Sequence, residues 1–172
     1  MLSILCFFNS YDGEFVFDDS EAILGNNDLL PTTPLSDVFE HDFWGRKLAS
    51  KTSHKSYRPL TVLTFRLNYY LAEGYYPYGF HLINILLHAS VSVLILQVFS
   101  ILFTGYYSST GFNSPKASLL CAVLFAIHPV HTESVAGIVG RADLLCALLF
   151  LLSFISYAKS CNNGKYLYIN GI

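Results

Sequence analysis

The sequence has little charge. Asp, Glu, Lys and Arg make up 13% of its 172 residues, 53% are hydrophobic, and the net charge is -2. In soluble domains about a quarter of all residues are charged, so this composition indicates a membrane protein. A phosphate backbone needs a basic surface, and the charge balance therefore excludes nucleic acid as a partner.

The sequence also lacks the cysteine spacings that are typical of disulfide frameworks and metal sites. None of the four cysteines, Cys6, Cys121, Cys146 and Cys161, belongs to a C-x-x-C motif, and three lie in apolar runs. We therefore predict no disulfide framework and no cysteine-based metal site.

Residues 1–10 lack the basic start and the cleavage site of a signal peptide, and they are too few to cross a bilayer. We predict that they are the end of a truncated first transmembrane helix. The sequence turns apolar again within residues 159–172, after a predicted cytosolic turn, and this indicates the start of a further helix. The chain is therefore expected to be a fragment.

Long apolar runs predict three transmembrane helices, at 80–103, 112–128 and 142–158. The first has no formal charge and would be about 36 Å long as a helix, enough to cross a bilayer. The predicted fold is an all-α polytopic membrane protein.

The charges divide the connecting segments between two sides. The carboxylates fall in the loops 11–79 and 129–141 or, as Asp143, just beyond them, whereas 104–116 and 159–172 carry lysines and no acid. Short Lys-biased loops mark the cytoplasmic face, so we predict that the acidic loops are lumenal or external.

The long loop is predicted to carry short amphipathic helices. One would run from Thr33 to Phe43, with Pro34 in its first turn. A second would begin at Pro59 and lie in the membrane interface. Its apolar face would consist of Leu60, Leu63, Leu67 and Leu71.

Asp18 and Asp19 follow an aromatic and β-branched run. Adjacent carboxylates beside apolar surface repel each other and lose hydration, so one pKa should rise towards the range of a general base. The alternative is a solvated turn, or an N-cap for a short helix over Ser20 to Leu24. The residues alone leave both interpretations open.

Three polar side chains, His81, Asn84 and His88, share one face of the first predicted span. Polar groups at membrane depth usually face a bundle interior or a wet cavity. We expect His88 to form an interhelical hydrogen bond, whereas His81 lies near the lumenal end and could reach a substrate.

The second acidic loop carries His128, His131 and Glu133, which are residue types that bind zinc. Their spacing matches no metalloprotease motif, so we predict no metal and assign them to the lining of a polar cavity. Arg141 could hold a lipid-linked phosphate or extend to the headgroups, and Arg58 belongs to a second cationic cluster.

Several long blocks resemble one family. YDGEFVFDDSEAIL, SHKSYRPLTVLTFRLNY, FHLINILLHA and FAIHPVHTESVAGIVGRADLL are similar to the membrane domain of the transmembrane and tetratricopeptide-repeat-containing O-mannosyltransferases. The resemblance extends from about Tyr11 to Ala158.

This resemblance implies a partial GT-C-type, multi-pass glycosyltransferase of the endoplasmic reticulum membrane without a cofactor. It would move mannose from dolichyl phosphate mannose to Ser or Thr of secretory-pathway proteins such as cadherins, with inversion. Asp18 or Asp19 would be the base. The candidate cavity residues are Arg58, His81, His128, His131, Glu133 and Arg141.

The family's tetratricopeptide repeats are missing here, and the chain is expected to be inactive alone. The competing hypothesis is a non-catalytic membrane module that anchors or assembles other proteins. A transporter is less well supported, because the sequence shows no inverted repeat.

Overall fold

The computed structural model describes residues 2–104 and 115–169. Within these ranges the regular elements are helical, and the strand-like pairing consists of one isolated bridge between His41 and Lys47. The α-helices are α1 (Leu2–Phe7), α2 (Pro59–Ala72), α3 (Pro77–Thr104), α4 (Pro115–Ile127), α5 (Thr132–Ala136) and α6 (Arg141–Ile169). The short turns are the 3-10 segments Phe8–Ser10, Asn27–Leu29, Leu35–Phe39, Pro129–His131 and Ile138–Gly140, and the π-helical turn Ser20–Leu24.

Within the described residues, two helices are long and apolar enough to cross a membrane. They cover Pro77–Phe103 and Ile138–Cys161, with mean hydropathies of 2.3 and 2.1. A third span is formed if Pro115–Ile127 and Pro129–Ala136 are taken together, although the two parts are bent by 43°. The bend follows from Pro129, which forces the preceding residue out of helical geometry. These helices indicate a membrane protein.

The last helix is longer than expected. We predicted a turn after residue 158, but α6 continues to Ile169. The segment contains no proline, and a single glycine inside a helix costs only about 1 kcal/mol. The predicted turn at 104–116 lies mostly outside the described residues.

The helices pack around α3, which contacts α1, α4 and α6. Phe7, Ile85, Val135 and Leu144 form a buried cluster among these elements. The four cysteines are free.

The loop before α2 folds into a lobe against the ends of α3 and α6. Its core contains Phe43 and Phe65 together with Phe80 of α3 and Ile138, just ahead of α6. Because the same apolar cluster includes loop and membrane helices, the lobe is fixed to one end of the bundle.

Helix α2 begins at Pro59, as the sequence predicts, but three of the four leucines of its predicted stripe face outwards. Leu60, Leu67 and Leu71 are 48%, 55% and 72% exposed. Leu63 is partly buried against the lobe, where Val62 and Phe65 are buried. The three outward leucines are therefore available to lipid.

The predicted helix from Thr33 to Phe43 was too long. Only Leu35–Phe39 is helical, as a 3-10 segment, and the Thr33 hydroxyl donates to the Asn27 carbonyl instead of capping it. The Asp42 carboxylate accepts the N–H groups of Trp44 and Arg46 and thereby forms a separate turn.

Candidate active site

The acidic pair lies in a tight turn. Phe17 precedes it with a φ of 46°, in the left-handed region, and its ring is 94% exposed. The Asp19 N–H donates to the Val16 carbonyl at 3.0 Å, and the π-helical turn Ser20–Leu24 follows. This geometry separates the two carboxylates, since Asp18 is exposed and Asp19 is 1% exposed.

Asp19 is not a side-chain N-cap of that turn. Its Oδ2 accepts the Val16 N–H at 3.1 Å, and its Oδ1 accepts the Val139 N–H at 3.1 Å. Burial raises the pKa of Asp19 above its ordinary value, and the two N–H groups and nearby His81 partly offset the increase. The Val139 bond joins the acidic loop to the turn ahead of α6.

Asp18 lines an open groove of about 360 Å³. The other lining residues are Glu21, Trp44, Arg46 and His54. The indole of Trp44 packs edge-on against the rings of Phe43 and His54, with centroid distances of 5.2 and 6.3 Å. The groove thus combines an aromatic surface with charges of both signs beside an accessible carboxylate.

Arg141 lies in the interior, at 0% exposure. Its Nε donates to Asn84 Oδ1 at 2.8 Å, Nη1 to Asn68 Oδ1 at 2.5 Å, and Nη2 to the Phe80 carbonyl at 2.8 Å. The guanidinium also lies 4.7 Å from the Phe65 ring centroid. It therefore joins α2, α3 and α6 and does not extend to the headgroups.

His81 is buried beneath the loop that follows α1. It is 2% exposed, and neither ring nitrogen has a well-aligned hydrogen-bond partner. The loop passes so close that a Cβ on Gly13 would lie 2.9 Å from His81 Nε2. A side chain at residue 13 would therefore force the His81 ring or this loop to move.

The remaining histidines form an aromatic cluster. The ring of His131 lies 5.1 Å from that of His88 and 4.3 Å from that of Phe125. His88 bonds the Ala126 carbonyl through Nε2 at 3.1 Å, as expected for an interhelical contact. His128 and Glu133 are exposed, and in the described part of the chain no group of three or more His, Cys, Asp or Glu could hold a metal ion.

Curated relatives match most of the chain. It is 65% identical over 163 residues to "Protein O-mannosyl-transferase TMTC4" of Homo sapiens and 50% identical over 155 residues to "Protein O-mannosyl-transferase TMTC3" of Homo sapiens. It is 46% identical over 165 residues to "Protein O-mannosyl-transferase tmtc2" of Xenopus laevis. These alignments cover 92%, 90% and 96% of the chain. By sequence, the chain belongs to the TMTC family.

The chain spans only 22%, 16% and 18% of the length of these three TMTC relatives. No family model matches it, and no solved structure does. All three relatives are named protein O-mannosyl-transferases.

The fold of this chain brings some of the predicted site residues together and separates others. Asp19, His81 and the turn ahead of Arg141 are neighbours. Arg58 is exposed, with its guanidinium 4.9 Å from the Phe43 ring centroid, and lines a different groove with residues of α6. The substrate-contact roles of Arg58, His81, His128, His131, Glu133 and Arg141 stay predictions.

Sequence reasoning missed the groove beside Asp18. Glu21 was close enough in the sequence to be considered, but Trp44, Arg46 and His54 reach the groove only through the folded loop. The structural bond between Asn68 and Arg141, which lies outside this groove, was missed as well because it joins residues 73 positions apart.

Proposed function

We propose that this chain is the part of a protein O-mannosyltransferase that supplies the catalytic carboxylate. In the complete polypeptide, a GT-C-type protein of the endoplasmic reticulum membrane, mannose would move from dolichyl phosphate mannose to a Ser or Thr hydroxyl. Cadherins are proposed as acceptors. The family relationship and the apolar helices support this proposal.

The observation that carries the proposal is the division of the acidic pair into one accessible and one anchored carboxylate. A general base must lie within hydrogen-bond reach of the proton that it takes. Asp18 is exposed in the groove next to Trp44, so an acceptor hydroxyl can approach it. Asp19 is held by two backbone N–H groups and fixes the turn on which Asp18 lies.

In the proposed reaction, the acceptor oxygen attacks the anomeric carbon of mannose from the face opposite the phosphate. Its proton passes to the carboxylate of Asp18 while the bond from the anomeric carbon to the phosphate oxygen breaks. The products are the mannosylated hydroxyl, with inverted configuration, and dolichyl phosphate.

The lipid of the donor is proposed to lie in the groove of about 420 Å³ between the start of α2 and α6, and the sugar would reach the Asp18 groove past the Phe43 ring, which both Arg58 and Trp44 contact. Leu145 and Leu149 of α6 provide apolar surface there, and the guanidinium of Arg58 provides a cation for the phosphate. The three outward leucines of α2 would place this groove at the membrane surface.

The test replaces Asp18 by Asn in the complete polypeptide and measures O-mannosylated glycopeptides from cells by mass spectrometry. Loss of a general base lowers turnover by about 100-fold or more, while the protein still reaches the membrane. Asp12→Asn, at another exposed acidic residue of the same loop, is the matched control and should retain transfer.

Unchanged mannosylation in Asp18→Asn would refute the assignment. If Asp18→Asn and Asp19→Asn both transferred mannose normally, the acidic pair would have no catalytic role, and a membrane anchoring or assembly module would be the better interpretation.

A further inference from the structure

The side chain of Asn84, in α3, contacts the backbone of the segment that precedes α6. It is 0% exposed, and its Nδ2 lies 3.1 Å from the Gly137 carbonyl oxygen. The carbonyl oxygens of Val135 and Ile138 are each 3.4 Å away from the same nitrogen. One side-chain amide of α3 therefore lies within hydrogen-bond distance of one carbonyl oxygen of α5 and two carbonyl oxygens of the turn that leads into α6.

Arg141 fixes the orientation of this amide. Its Nε donates to Asn84 Oδ1 at 2.8 Å, so the oxygen of the amide is occupied by a cation. The two N–H groups must then face the carbonyl groups of the turn, since a primary amide has one acceptor end and one donor end.

The turn bound by Asn84 is closely packed against the preceding helix. A Cβ on Gly137 would lie 2.7 Å from the Glu133 carbonyl oxygen, and one on Gly140 would lie 2.6 Å from Ser134 Cα. Between these glycines, the Val139 N–H points at Asp19 Oδ1, 3.1 Å away. The position of this N–H group depends on how the turn is held.

We propose that Asn84 is a positioning residue for the acidic pair. Oriented by Arg141, it holds the turn from Gly137 to Gly140 so that the Val139 N–H anchors Asp19, and the anchored Asp19 fixes the backbone turn that carries Asp18. This inference rests on the proposed function, because it assigns Asn84 a role through the same two aspartates.

The substitution Asn84→Asp keeps the acceptor for Arg141 and removes the donor to the Gly137 carbonyl. A carboxylate still accepts from Arg141, but it cannot donate to the turn, and its second oxygen faces the carbonyl oxygens of the turn. In the complete polypeptide, we expect kcat with dolichyl phosphate mannose and a Ser/Thr acceptor peptide to fall about 10-fold, with both KM values within about twofold, because misplacement of a reacting group mainly affects turnover.

Asn68→Asp is the matched control. Asn68 also accepts from Arg141, but its amide donates to the Gly79 carbonyl at 3.2 Å and not to the turn. This variant should keep its kcat within about twofold of the wild-type value. Turnover is expressed per folded molecule, and the folded fraction is taken from the amplitude of the thermal unfolding transition in detergent. If Asn84→Asp does not accumulate, Asn84→Ala is measured in its place.

A double-mutant cycle with Asp19→Ala, which removes the acceptor of the Val139 N–H, separates positioning from a general structural effect. If Asn84 acts through Asp19, the change at Asn84 lowers kcat little further once Asp19→Ala is present. The positioning role would be overturned if the fold losses in kcat of the two single variants multiplied in the double variant. A normal kcat in Asn84→Asp would overturn it as well. Normal transfer by Asp18→Asn would instead overturn the proposed function itself.

Discussion

At the scale of single residues, the environment of Gly140 leaves no room for a side chain. An added Cβ would lie 2.6 Å from Ser134 Cα and 2.8 Å from the Glu133 carbonyl oxygen. Both neighbours are backbone atoms of α5, so a side-chain rotation cannot relieve the contact.

We therefore expect Gly140→Ala to destabilise the folded protein by about 2 kcal/mol, as overpacking typically does. The measurement is the free energy of unfolding in detergent. Gly79→Ala is the matched control, because its added Cβ would have an ordinary contact of 3.7 Å with Asn68 Nδ2. Equal stability of the two variants would contradict the packing of this turn.

Single residues also show why the candidate site was only partly predictable. The sequence indicated Asp18 and Asp19 because they are adjacent and follow an apolar run. It could not separate their roles, since the anchor of Asp19 is a backbone N–H group 120 residues away. Long-range partners of this kind leave no local pattern in a single sequence.

At the scale of elements, the periodicity of α2 predicted which residues share a face but not which face is buried. The proline start and the leucine spacing are local properties, and both are present in the structure. Val62 and Phe65 pack into the lobe. Leu60, Leu67 and Leu71 therefore face away from the lobe and are exposed. Burying one leucine stabilises by about 1.5–3 kcal/mol, so these leucines favour a membrane surface.

This orientation predicts contact of α2 with lipid. In a background without native cysteines, an environment-sensitive fluorophore on Leu67→Cys should emit at shorter wavelength in vesicles than the same fluorophore on Lys51→Cys. Both positions are exposed in the protein, so a shift that appears at residue 67 in vesicles and is absent in lipid-free detergent is expected from contact with lipid. Identical spectra at the two positions would place α2 in water.

At the scale of the whole molecule, the acidic loop and the turn ahead of α6 lie at the same end of the bundle. The bond from Val139 to Asp19 joins them, and Phe80 and Ile138 belong to the core of the lobe. The long apolar runs of the sequence predicted the positions of the helices because lipid demands such runs. The assembly of loop and turn into one site depended on contacts that only the fold creates.

This arrangement requires the two acidic segments to face the same compartment, with the start of α4 on the other side. Single-cysteine variants Lys51→Cys and Glu133→Cys, in sealed microsomes from cells that express the complete polypeptide, should react with an impermeant maleimide only after permeabilisation. Lys116→Cys, at the opposite end of α4 from the turn, should react in intact vesicles. Residues 51 and 133 on opposite sides would be incompatible with a hydrogen bond between Val139 and Asp19, because that bond places both loops at one membrane face. Such a result would remove the structural basis for a shared catalytic site.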